Sequence, residues 1–94
     1  MSAKYAISNI DSDMVERRRE DTKDIIIQIL NNEPDCRTWP QCLCRRIKER
    51  CEDEFTGTWN CHVGPSFGSS FPYEANSYFY GEWDDLSILL YKYK

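Results

Sequence analysis

At Thr58 the apolar pattern of this chain changes its period. Upstream, apolar residues recur every three or four positions; downstream they alternate. The first spacing lines one face of a helix and the second one face of a strand. The segment from about Met14 to Leu30 carries Thr22, Ile25, Ile26, Ile29 and Leu30 on a single helical face. Ser12 or Asp13 offers an N-cap, with Glu16 placed for a capping box. Three consecutive isoleucines also suit a strand, but the charged run MVERRREDTKD favours the helix. Arg17, Arg18 and Arg19, interleaved with Glu16, Glu20 and Asp21, read as its solvated face.

The segment NNEPDCR reads as a break and TWPQ as a restart. Thr38 can cap a second helix, Pro40 suits its first turn, and Gln41 lies three residues after the cap. That helix runs from about Trp39 to Glu54, with Leu43, Cys44, Ile47, Cys51 and Phe55 as its apolar stripe.

Beyond Thr58, TWNCHVG alternates Trp59, Cys61 and Val63 against Asn60 and His62. SYFYGEW and LSILLYKY flank a two-residue turn at Asp84 and Asp85. A further short strand is predicted near Tyr5 to Ile10. The last strand is apolar on both sides: Leu86, Ile88 and Leu90 face one way, Ser87, Leu89 and Tyr91 the other. A strand of that kind is covered on both faces. The two helices cover one; the other needs a second copy or a ligand. The order of elements predicts an α+β fold, two helices on an antiparallel sheet, in one domain spanning 1–94.

The 94 residues carry 12 basic and 16 acidic side chains, a net charge of −4. A dedicated nucleic-acid binder would normally be basic. The N-terminus shows no secretory signal and no apolar run approaches a membrane span, so an intracellular protein is expected. Its five cysteines then read as free thiols. Cys36, Cys42, Cys44, Cys51, Cys61 and His62 lack the C-x-x-C pairs of a structural zinc site. Cys61 and His62 point to opposite faces of a strand and cannot act as nucleophile and base. No catalytic residue, metal or other cofactor is expected, and His62 reads as an interface or surface residue.

The stretch GPSFGSSFPYEANSYFYGEW remains. Gly64 and Gly68 let another chain approach closely. Tyr78 and Tyr80 suit a groove that takes an extended peptide by strand addition. Periodicity alone leaves this equal to a plain hairpin with surface tyrosines.

The run RRIKERCEDEFTGTWNCHVGPSFGSSFPYE, followed by LSILLYKYK, closely resembles the small dynein light chains of the LL type, the type 1/2 family. The shared pattern is a helix carrying I-K-x-x, then T-W-x-C-x-V-G-x-x-F-G-S, a glutamate and a terminal I-L-L-aromatic-K. DMVERRREDTKD fits the family's first helix, so the resemblance covers nearly the whole chain. It implies a strand-exchanged dimer with two grooves at its interface. Each groove receives an extended segment of a partner such as a dynein intermediate chain. Two grooves on one dimer make the second binding event intramolecular. By position, the crossing strand would be Phe67 to Tyr73. The groove would use Gln41, Phe67, Gly68, Ser69, Ser70, Phe71, Tyr73, Tyr78, Tyr80, Ser87 and Leu89. The dimer interface would use Asn60, His62, Ser66, Ser69, Ser70 and Phe71.

The chain departs from the family pattern. Gln41 stands where a lysine is usual and Pro40 where an acidic residue is usual. Pro72 removes a backbone donor from the crossing strand. Ser70 replaces a tyrosine, Asn60 a seam histidine and Glu82 an aromatic; Asp84 and Asp85 replace a glycine-containing turn. The resemblance therefore implies a diverged paralogue with an altered partner motif. It acts without catalysis in the cytoplasm and cytoskeleton, in a ciliary or axonemal dynein, as a homodimer or paired with a related light chain. The alternative is an adaptor for non-dynein partners.

Overall fold

Each helix forms where its apolar residues repeat at helical spacing. The computed structural model describes residues 5–64 and 74–92. Strand β1 (Ser8–Ser12) precedes helices α1 (Glu16–Asn32), α2 (Pro34–Thr38) and α3 (Pro40–Glu54). Strands β2 (Trp59–Gly64), β3 (Phe79–Trp83) and β4 (Leu86–Lys92) follow. The strands make one antiparallel sheet in the order β1-β3-β4-β2. The fold is α+β, as expected, with one short helix more than the sequence predicted.

In α1, Thr22, Ile25, Ile26, Ile29 and Leu30 are buried. Ile27, between two core isoleucines, is only half-buried, as the helical period requires. The start differs from expectation: Val15 is the N-cap and provides no side-chain cap. Ser12 and Asp13 have other partners. The Ser12 hydroxyl accepts from the Met14 N–H at 3.1 Å and donates to the Tyr78 carbonyl at 2.6 Å. The Asp13 carboxylate accepts the Asn76 and Tyr78 N–H groups at 3.0 and 2.8 Å. These bonds fasten the entry to α1 onto the turn before β3.

The predicted break holds one helical turn, α2, opened by Pro34. Cys36 on α2 and Cys42 on α3 form a disulfide. This corrects the reading of all five thiols as free: Cys44, Cys51 and Cys61 are free. The chain turns between the two helices at Trp39, the N-cap of α3, which replaces the expected Thr38 cap. That turn brings two cysteines six residues apart face to face. Closing so short a loop removes enough chain entropy from the unfolded state for about 2 kcal/mol of stability. Replacing both cysteines by serine is expected to cost about that much in a urea titration. An unchanged midpoint would contradict the bond's role.

Leu43, Ile47 and Cys51 of α3 are fully enclosed, and Phe55 follows them into the core. They meet the sheet face formed by Trp59, Cys61, Phe79, Ile88 and Leu90. Trp59 packs on Phe55 with ring centroids 5.7 Å apart. β1 begins at Ser8, later than predicted, and its pairing with β3 shifts register between Ser8 and Asp11. Asn9, at φ 52°, takes up the irregularity. Gly81 leaves room for β1's approach: a Cβ there would sit 2.5 Å from Ile7 Cγ2. The predicted turn at Asp84 and Asp85 is present, with Asp84 at φ 56°, a conformation that Asp tolerates better than most residues.

β4 is buried on both sides. Ile88 and Leu90 enter the core. Ser87, Leu89 and Tyr91 are buried on the face turned away from the helices, and Leu89 and Tyr91 stand outside the main core cluster.

Candidate functional site

The first turn of α3 faces the outer strand β2. Gln41, Cys44, Arg45 and Lys48 follow the i, i+3, i+4, i+7 spacing that sets four side chains along one helical face. With Cys61, His62 and Val63 of β2 and with Pro40, they line a groove of about 510 Å³. Three bonds fix its walls. The Cys44 thiol donates to the Cys61 carbonyl at 2.8 Å. Glu52 accepts the Lys48 ammonium at 2.8 Å and the Trp59 N–H at 3.2 Å, tying the helix to the start of the strand.

The groove's thiols differ in character. The Cys61 thiol beside it, and then Lys48, draw the Cys44 thiol down to about 7. Cys61 itself is pushed well up by Cys44 and by burial. Burial pushes Cys51, deeper in the core, up to about 12.

A second cluster lies on the sheet face turned away from the helices. Register places Leu89 between Tyr80 and His62, Ser87 opposite Glu82 and Asn60 opposite Tyr91. The Tyr80 hydroxyl donates to Glu82 at 2.8 Å and lies 3.0 Å from the Ser87 hydroxyl. The Asn9 amide donates to the other Glu82 oxygen at 2.6 Å. Asn9 first, and then Tyr80, hold the Glu82 carboxyl below its usual range. His62 stacks on Tyr91, with 3.3 Å between imidazole nitrogen and hydroxyl.

The expected site residues thus fall into two sets. Gln41 lines the groove; His62 borders it too, but by register it shares the outer sheet face with Asn60, Tyr80, Ser87 and Leu89. Tyr78 is half-buried just before β3. Ser66, Phe67, Gly68, Ser69, Ser70, Phe71, Pro72 and Tyr73 lie outside the described residues. Cys44, Arg45 and Lys48 line the groove without having been expected there. The helical spacing from Gln41 was the signal for them. Among the described residues, no three His, Cys, Asp or Glu side chains converge as metal ligands, and no helix is long and apolar enough to cross a membrane.

The family model of dynein light chain type 1 matches residues 6–93. The chain belongs to that family. As a dynein light chain it is a non-catalytic, dynein-associated subunit, linked to a motor complex and to the cytoskeleton. The two faces described above are therefore the places to look for a light chain's protein contacts. Pro40 and Gln41 of this dynein light chain both line its groove.

Proposed function

We propose that this dynein light chain forms a strand-exchanged dimer that holds two extended partner segments by strand addition. What supports the reading is the family membership, together with the apolar outer side of β4, where Leu89 and Tyr91 stand outside the core cluster that meets the helices. A second copy, related by a twofold axis, would cover that face with the same residues. The crossing strand would be residues 67–73, added to the sheet beyond β2. Its far edge would face the groove and offer backbone donors and acceptors to a segment. Gln41 would meet the segment from α3. Phe67, Gly68, Ser69, Ser70, Phe71, Tyr73, Tyr78, Tyr80, Ser87 and Leu89 would complete the two grooves. Asn60, His62 and Ser66 would lie near the seam. The whole chain acts as one domain.

The partners are dynein intermediate chains, and the departures at Pro40, Gln41 and Glu82 point to an altered motif in an axonemal dynein, with a second copy or a related light chain as the other subunit. Affinity capture with the full-length chain from ciliated and non-ciliated cells tests this. Dynein intermediate chains are expected in the ciliated catch. Their absence from both catches, with other proteins recovered, would favour the non-dynein adaptor.

A further inference from the structure

Arg45, Arg46, Lys48 and Arg50 of α3 differ in how their charges are used. Arg46 is paired with Glu33 at 2.9 Å and with Glu49 at 2.8 Å. Lys48 is paired with Glu52 at 2.8 Å. Arg50 donates to Gln28 at 3.0 Å. Arg45 has no such partner among the described residues, and it is exposed on the helical face that lines the groove. Among the described residues lining that groove none is acidic, in a chain that carries a net charge of −4. The local charge of the groove is therefore opposite in sign to that of the whole molecule. Glu52, which pairs with Lys48, also accepts the Trp59 N–H.

We propose that the segment received by this groove carries a carboxylate side chain that pairs with Arg45. The inference rests on the strand-addition reading given above and specifies the chemistry of its occupant. A guanidinium presents a planar fork of N–H groups that fits both oxygens of a carboxylate. Here it sits on a rigid helix, one turn from Gln41 and beside Lys48. A segment paired with the far edge of the crossing strand and lying along α3 would run past Gln41, then Arg45, then Lys48. An uncharged amide would be met first and two cations after it. An acidic residue placed after a polar one suits that sequence of contacts, whereas a lysine or arginine there would face like charge. Partial enclosure by the groove walls raises the worth of such a pair above that of a fully solvated one.

Selection of short random peptides on the wild-type protein provides the probe. Binders enriched in Asp or Glu at one fixed position are expected. Changing that residue to its amide should weaken binding about five- to tenfold on the wild type and hardly at all on Arg45→Gln. Arg45→Glu should shift the selected residue to Lys or Arg. Arg45 is exposed and glutamine is a good helix former, so an unchanged circular dichroism spectrum confirms that the variants fold. Peptides that bind with no acidic preference, or whose preference survives in Arg45→Glu, would overturn the pairing and leave strand addition standing. A selection that yields no binder would overturn both.

Discussion

Leu90→Ala is expected to destabilise the chain by about 3 kcal/mol, within the usual range for a buried leucine truncated to alanine. Leu90 is fully enclosed and sits at the centre of the sheet, opposite Cys61 on one side and Phe79 on the other. Ile88 shares its face. Removing three carbons there loses their transfer free energy and leaves a cavity that strands paired on both sides cannot collapse to fill. A domain of this size has only about 5–15 kcal/mol in total, so the loss is a large share. Urea unfolding followed by tryptophan fluorescence measures it. A loss below about 1 kcal/mol would mean that the sheet does not pack on the helices as described.

One residue earlier the same chemistry is expected to act on association as well as on the stability of the single chain. Leu89→Asp should convert the proposed dimer into a monomer. Leu89 faces away from the helices, between Tyr80 and His62 in register, and stands outside the main core cluster. In a twofold dimer each substitution appears twice at the interface. An unpaired carboxylate enclosed there costs several kcal/mol, so the dimer should dissociate at least about 100-fold more readily. Sedimentation velocity should show a monomer whose circular dichroism retains its helical signal. A dimer of unchanged concentration dependence would place the interface elsewhere. Comparison of Leu89 with Leu90 thus separates the two faces of one strand.

The sequence made these faces readable because they depend on local period alone. Ile25, Ile26 and Ile29 show a helix however the rest of the chain folds. The alternation of Trp59, Cys61 and Val63 shows a strand in the same way. The doubly apolar β4 was visible, and its burial on both sides follows. Capping was misread because it is a competition. Ser12 and Asp13 are good N-caps in isolation, but Tyr78 and Asn76, more than 60 residues away in sequence, offer them bonds that tie two elements together. No linear pattern carries that contest.

The cysteines divide for a similar reason. Cys42 lies off the stripe of Leu43 and Ile47, so its burial is not a matter of helical period. It is buried because α2 folds back at Trp39 and brings Cys36 to it. Arg45 could not be singled out from the pair Arg45 and Arg46 by charge pattern. Only the ion pairs of Arg46 with Glu33 and Glu49 distinguish them. The family resemblance placed Gln41 in the groove and His62 at the dimer seam; Gln41 lines the groove, and His62 borders it from the outer sheet face. Tyr80, Ser87 and Leu89 lie on that outer face, a separation from Gln41 that a groove built by two protomers would account for.

Sedimentation equilibrium of the full chain, alone and with a saturating extended segment from a dynein intermediate chain, tests the central claim most directly. The account predicts two chains per particle in both cases and two bound segments in the second. A particle of one chain that binds no segment would contradict it.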